Sequence, residues 1–275
     1  MRSVLITGAS RGIGQAVALR QAAAGWDVYA GVRDTGSGQR LVSADARITP
    51  VELDVTNEAQ IASLPQQLPQ RLDAVVNNAG TALLGPIEAL SLGDLRQQME
   101  VNLIGQVAVT QAVLPMLRAS EGRAVFLSSV NGRMSVPMEG AYCASKFALE
   151  GLVDALRVEL RPWRISVSLV EPGPVDTGPW REIHGQIDGM EQQMTPEHHE
   201  LYAGHTAGLR RFASRLQGRT MSADRAARVV QRALTAKRPR GRYVVGGDAR
   251  AMIAMQAVIP TRALDAASAR IGGWK

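Results

Sequence analysis

The chain has a single cysteine, Cys143, so no disulfide can form within it, and a reducing compartment is the expected home. No histidine lies near Cys143 in sequence to activate its thiol, and a small buried side chain is the expected state. No apolar run reaches the roughly 18 residues that a bilayer-spanning helix requires. The apolar start of MRSVLITGAS is too brief for a secretory signal. Together these absences predict a cytoplasmic protein with no transmembrane segment. The four histidines, His184, His198, His199 and His205, fall late in the chain without the spacing of a zinc motif, and no metal site is expected.

Aromatic residues are also scarce, at 4%. The formal net charge is +6, with basic side chains dense between Arg210 and Arg242. A nucleic-acid surface would pair such charge with stacking rings or a recognisable motif. Here acidic residues are interleaved and no aromatic platform accompanies the arginines. The segment reads as a solvated helix face, and no nucleic acid is expected as partner.

What is present suits one large α/β domain: 275 residues, 45% hydrophobic and 20% charged, with 27 glycines. Short apolar runs alternate with amphipathic stretches. Strands are predicted over 3–7, 27–32, 48–55, 72–80, 123–129, 165–173 and 242–247. Helices are predicted over 13–24, 57–68, 91–117, 140–160, 222–236 and, weakly, 249–271, with Ser91 and Ser222 as N-caps. This alternation predicts a doubly wound, seven-stranded, mainly parallel sheet with helices on both faces. Residues 174–220 are polar and show no clear period. A connection of that length predicts a lid or substrate loop, and 249–275 reads as a helical tail. No repeat, low-complexity tract or domain boundary interrupts residues 1–275.

TGASRGIG (7–14) stands between the first strand and the first helix. Gly8, Gly12 and Gly14 allow a tight turn and close backbone approach to a pyrophosphate, at a helix N-terminus that favours anions. The second strand ends in AGVRD. A carboxylate about 20 residues past the glycines would bond an adenosine ribose hydroxyl, but Val32 takes that place and Arg33 follows. Arg33 and Arg11 together suit a 2′-phosphate, which predicts NADP(H) over NAD(H). The plainer alternative is two surface arginines, one paired with Asp34.

Tyr142 and Lys146 lie four residues apart, on one face of a predicted helix. A free phenol has a pKa of about 10. A cation beside it favours the phenolate and is expected to bring the pKa toward working pH, making an acid/base group without histidine.

These residues, in this order, resemble the classical short-chain dehydrogenase/reductase family, and the likeness covers at least residues 3–177. The glycine turn, Asp54 in LDV, NNAG at 77–80, Asn102 in EVNLIG, Ser129 thirteen residues before Tyr142, the Y-x-x-x-K pair and P-G-x-x-x-T from Pro172 to Thr177 carry it. VYAGVRD, YCASKFALEGL and VSLVEPGPVDT look closest to its 17β-hydroxysteroid and retinol dehydrogenase subgroup. The resemblance implies a Rossmann-type fold. It implies catalysis by Asn102, Ser129, Tyr142 and Lys146 on a small-molecule alcohol or carbonyl, with a bulky apolar substrate. It also implies cofactor contacts from Gly8, Ser10, Arg11, Gly12, Ile13, Gly14, Arg33, Asp54, Val55, Asn78, Ala79, Gly80, Tyr142, Lys146, Pro172, Gly173, Val175 and Thr177. Asn102 would fix a water behind Lys146, His205 is a candidate pocket residue, and a homodimer or homotetramer is implied. The alternative from another class is an NADP-binding sensor without chemistry, which retention of Ser129, Tyr142 and Lys146 argues against.

Overall fold

The computed structural model describes residues 1–216, 220–256 and 258–272. Arg219 of the arginine-rich segment, and the corresponding parts of the predicted lid and tail, lie outside the described residues.

Among the described residues nine strands form: β1 (Ser3–Ile6), β2 (Asp27–Val32), β3 (Ile48–Glu52), β4 (Ala74–Asn77), β5 (Arg123–Leu127), β6 (Ser166–Pro172), β7 (Val175–Asp176), β8 (Met221–Ser222) and β9 (Arg242–Val245). Seven of them build one sheet in the order β3-β2-β1-β4-β5-β6-β9, and every pairing in it is parallel. The expected seven-stranded sheet is thus present, parallel throughout. Its strands are rich in Val and Ile because both faces are covered. Successive side chains alternate between two cores. Val4, Ile6, Val28, Ala30, Val76 and Val125 face one, and Leu5, Val75, Ala124, Phe126 and Leu169 face the other.

The first core is closed by α1 (Gly12–Ala23) and α11 (Ala223–Thr235), through residues such as Val17, Ala22, Ala227 and Val230. The second is closed by α6 (Gly105–Ser120) and α7 (Gly140–Glu159), through Val109, Val113, Leu149 and Val153. The chain passes from β3 at one edge back to β4 on the far side of β1. The carboxyl ends of β1 and β4 thus flank the point where strand order reverses, which is where open α/β sheets bind ligands.

Several boundaries depart from the sequence reading. The helix α2 (Thr35–Ala44) was not predicted; two glycines among its ten residues weaken the local signal, and an Asp34 side-chain cap on Ser37 N at 2.7 Å starts it. The helix predicted over 57–68 is two short ones, α3 (Glu58–Ala62) and α4 (Leu64–Gln67). Pro65 stands at the start of α4, where its missing N–H costs nothing. The long helix over 91–117 is α5 (Leu92–Met99), a π-helical turn over Glu100–Ile104, and α6. Ser91 does cap it, accepting from Asp94 N at 3.0 Å. Ser222 likewise caps α11 through Arg225 N at 3.3 Å.

The largest departure is in 174–216, which is mostly helical: α8 (Gly178–Arg181), α9 (Ile183–Gln193) and α10 (Pro196–Leu216). Ile183, Ile187 and Met190 form a buried stripe that packs with Leu84, Met138, Leu209 and Ala213. Arg210 ties the two longer helices together, its guanidinium 2.6 Å from Asp188 and 2.5 Å from Glu191. The tail is α12 (Gly247–Gln256) and α13 (Thr261–Gly272), broken before Pro260. No described helix is long and apolar enough to cross a membrane.

Candidate active site

The glycine turn follows β1. Gly8 and Gly12 have φ of +65° and +61°, a backbone region costly for any other residue. A β-carbon at Gly14 would lie 2.3 Å from the Gly8 carbonyl oxygen and 2.5 Å from Asn78 Nδ2, so this position must be glycine. The NNAG segment clamps the turn. Asn78 Nδ2 donates to Thr7 O at 2.9 Å and Gly8 O at 3.1 Å. Thr7 Oγ1 accepts from Asn78 N and Ala79 N at 3.0 and 2.9 Å. Asn77 holds Thr110 of α6 at 2.8 Å, and Gln106 Nε2 donates to Ala79 O at 2.9 Å.

The N-terminus of α1 has no side-chain cap and no acidic residue in its first turn. Its free N–H groups and the glycine cradle fit a dinucleotide pyrophosphate. Ser10 lies half-buried in the turn, and Ile13 anchors the start of α1 against the first core. Thr177 stands over Gly12, where a β-carbon would come within 3.2 Å of its methyl group. The Arg11 guanidinium rests against Gly178, with Nη1 3.2 Å from a β-carbon built there. Arg33 is exposed at the end of β2 and, among the described residues, forms no salt bridge; the neighbouring Asp34 carboxylate accepts from Ser37 N.

Asp54 Oδ1 accepts from Thr56 N and Oγ1 at 2.9 and 2.8 Å, which orients the carboxylate beyond β3. Val55 is buried, and Gly105 packs so closely on it that a β-carbon there would lie 2.4 Å from Val55 O. Pro172 ends β6, Gly173 N donates to Val245 O at 3.4 Å, and Val175 is buried.

The predicted catalytic residues converge beyond the ends of β4 and β5. Asn102 is fully buried in the π-helical turn, a distortion often found at functional positions. Its Oδ1 accepts from Thr81 N at 2.8 Å, and its Nδ2 donates to Thr81 O at 2.9 Å and Ser145 Oγ at 3.0 Å. A point built as a β-carbon on Gly80 lies 3.3 Å from Asn102 Oδ1 and 3.8 Å from Lys146 Nζ, so the two groups face one space above Gly80. Lys146 is 4% exposed, and its Nζ donates to Leu127 O at 2.8 Å. Ser129 Oγ accepts from Asn131 N at 3.1 Å.

The electrostatics correct one expectation. The Tyr142 phenol is not brought toward neutrality; burial pushes it up to about 12, and the neighbouring Ser129 hydroxyl pulls it only partly back. Lys146 Nζ lies 5.8 Å from the centroid of the tyrosine ring, and its hydrogen bond goes to a backbone carbonyl. Desolvation loosens the lysine proton instead, lowering Lys146 to about 8, with the Glu150 charge opposing the fall. The chain thus presents a protonated phenol, a proton donor at neutral pH.

Sequence reasoning missed Glu139 and Asn131. Asn131 Nδ2 donates to Glu139 Oε2 at 2.6 Å, and burial raises Glu139 to about 7. Their spacing of eight residues across a loop carries no periodic signal. Cys143 is a buried free thiol, pushed up to about 11 by desolvation. The late histidines stand apart from these residues in α9 and α10. The rings of Tyr202 and His205 have centroids 5.3 Å apart, and Tyr202 Oη donates to Glu88 at 2.6 Å.

A glycine cradle at the switch point of a parallel sheet, with a phenol, an ammonium and a hydroxyl beside it, is the arrangement that a dinucleotide-dependent oxidoreductase requires. The short chain dehydrogenase family matches residues 2–187, and the chain belongs to that family. It is similar to 17-beta-hydroxysteroid dehydrogenase type 1 of Homo sapiens, 40% identical over 194 residues, covering 66% of this chain and 59% of that protein. Retinol dehydrogenase 8 of Homo sapiens is also 40% identical, over 195 residues, covering 68% of this chain and 61% of that one. The matches thus span about three fifths of the length of these relatives. A solved short chain dehydrogenase from Burkholderia cenocepacia in complex with NADP superposes with a TM-score of 0.76 at 26% identity, covering 98% of this chain and 99% of the other.

Proposed function

We propose that the chain is an NADP(H)-dependent oxidoreductase that interconverts a secondary alcohol, or a primary alcohol and aldehyde pair, with its carbonyl. The substrate is a bulky apolar molecule of steroid or retinoid kind. The observation that carries this reading is the convergence of Asn102 and Lys146 on the space above Gly80, at the end of the strand that holds the glycine cradle. The names of the two human relatives support the substrate class, and the NADP in the Burkholderia cenocepacia structure supports the cofactor. Exposed Arg33, with no carboxylate in place of Val32, favours a 2′-phosphate.

A bound nicotinamide dinucleotide supplies the hydride in reduction and accepts it in oxidation. Tyr142 holds the proton that the substrate oxygen needs, and burial keeps it on the phenol until charge develops on that oxygen. Ser129 donates a hydrogen bond to the same oxygen. Lys146 stabilises the phenolate left behind. Asn102 holds the loop at Thr81 and, through Ser145, the helix that carries Tyr142. Residues 174–220 form the substrate lid. The protein assembles as a homodimer or homotetramer in the cytoplasm, and the exposed Ile104, Phe147 and Val158 on the central helical segments support pairing between copies.

A screen of ketones, aldehydes and alcohols, followed by absorbance of the reduced nicotinamide and paired with a fluorescence titration of NADPH, tests this reading. NADPH binding with turnover of an apolar ketone is expected. Tight NADPH binding with no turnover across the screen would instead favour a sensor.

A further inference from the structure

Lys146 has a buried acidic neighbourhood that the proposed reaction does not use. Glu150 lies one helical turn along α7 and is 5% exposed, and Glu171 in β6 is 0% exposed. Both carboxyls face the same nitrogen. Arg242 Nε, from β9, is 3.1 Å from Glu150 Oε2 and 3.2 Å from Glu171 Oε1. That arginine is shared further, since its Nη2 also holds Asp154. Arg133 approaches Glu171 only to 3.8 Å. The remaining cation of α7, Arg157, is spent on Asp154 and on the carbonyls of Val167 and Gly241.

Glu150 Oε1, both oxygens of Glu171 and Ser128 Oγ are buried without a hydrogen-bond partner. The Ser128 hydroxyl and the Glu150 side chain approach one point. A β-carbon on Gly132 would lie 2.7 Å from Ser128 Oγ, 3.0 Å from Glu150 Cγ and 3.1 Å from the Lys146 carbonyl oxygen. Two buried carboxylates sharing one arginine repel each other, and a buried charge with too little compensation is costly, so a carboxyl in this position gains a proton instead.

We propose that Glu171, set against Glu150 at one Arg242 nitrogen, holds a proton at neutral pH, and that Glu150, one helical turn from Lys146, sets how tightly that lysine holds its own. The proton gives the cluster one further donor for its orphaned oxygens, and it removes one of the carboxylate charges that Arg242 must share. Burial and the Glu150 charge push Glu171 up to about 7, in keeping with that proton. Glu150 and Glu171 act here as positioning residues, and their effect on Lys146 bears on turnover only through the role given to Lys146 above.

Infrared spectroscopy of the full chain tests the pair without reference to turnover. Because Glu139 also titrates near neutrality, Glu139→Gln serves as the background. A carbonyl stretch of a buried carboxylic acid is expected, fading as pH rises through about 7 and missing from the Glu171→Gln variant at every pH. Competitive acetylation reads the lysine side, since Lys146, Lys237 and Lys275 are the only lysines in the chain. In Glu150→Gln the labelling midpoint of Lys146 is expected to fall by about one pH unit, a tenfold loss of proton affinity, with that of Lys237 unchanged. A chain without the acid band, a band that survives Glu171→Gln, or an unmoved Lys146 midpoint would overturn the proposal. If Glu150→Gln does not fold, the band and its loss in Glu171→Gln decide the matter. An active Tyr142→Phe variant would refute the catalytic reading while leaving these measurements untouched.

Discussion

Lys146 Nζ stands 5.8 Å from the centroid of the Tyr142 ring while donating to the Leu127 carbonyl at 2.8 Å. The ammonium is therefore held in place by β5 and not by the phenol it serves. Removing it takes away the cation that lies against the ring. Lys146→Met is expected to lower kcat at least about 100-fold, the usual scale for disabling a proton-transfer group. Steady-state kinetics beside a circular dichroism spectrum check this, since loss of rate with loss of fold would not count.

Gly14 has no room for a side chain. Gly14→Ala drives a methyl group toward the Gly8 carbonyl, 2.3 Å away, and toward Asn78 Nδ2. The turn must open, at a cost of about 1–3 kcal/mol for overpacking. A lower melting temperature and weakened NADPH binding in a fluorescence titration are expected.

On the proposed reading, cofactor choice rests on Arg33 and Arg11. A 2′-phosphate gains charge-assisted hydrogen bonds from such groups, each contributing about 1.5–3 kcal/mol. Arg33→Ala is expected to raise the Kd for NADPH about tenfold or more and to leave that for NADH nearly unchanged. Equal effects on both would remove the proposed preference.

Stability should depend on pH through Glu139 and Glu171. Both are raised from an ordinary carboxyl value of 4.5 to about 7, chiefly by burial. The unfolded chain ionises first, so the folded state binds more protons between those values. Stability is then highest below about 4.5, on this account alone, and is lost as pH rises to about 7. Thermal melts from mildly acidic to mildly alkaline pH should show a falling midpoint. Glu139→Gln and Glu171→Gln should each flatten the curve.

Arg210 links α9 to α10 through Asp188 and Glu191. Arg210→Ala leaves the sheet intact but removes the tie, so limited proteolysis within 178–216 should accelerate while the melting temperature changes little. Equal cleavage rates would show that the buried stripe of Ile183, Ile187 and Met190 holds the segment unaided.

The sheet and the nucleotide turn were legible because their signals are local. Apolar runs mark the strands, and the glycines of 7–14 mark a backbone constraint that no other residue satisfies. The helices of 178–216 were missed for a physical reason. The buried stripe of α9 is only Ile183, Ile187 and Met190 among polar residues and two glycines, too thin a pattern until Leu84 and Met138 are brought against it. The direction of the Tyr142 shift was also out of reach. Spacing places Lys146 on the same helix face but says nothing of burial, and burial outweighs the neighbouring charge. Glu150, Glu171 and Arg242 meet only because β6 and β9 are neighbours in the sheet, more than 70 residues apart in sequence.

The central claim is that the Tyr142 hydroxyl passes its proton to the substrate oxygen. Stopped-flow comparison of wild type and Tyr142→Phe, each loaded with NADPH and mixed with the best ketone from the screen, tests it most directly. The account predicts unchanged NADPH affinity and a rate of nicotinamide oxidation lower by about 100-fold or more. A variant that oxidises NADPH at the wild-type rate would contradict it.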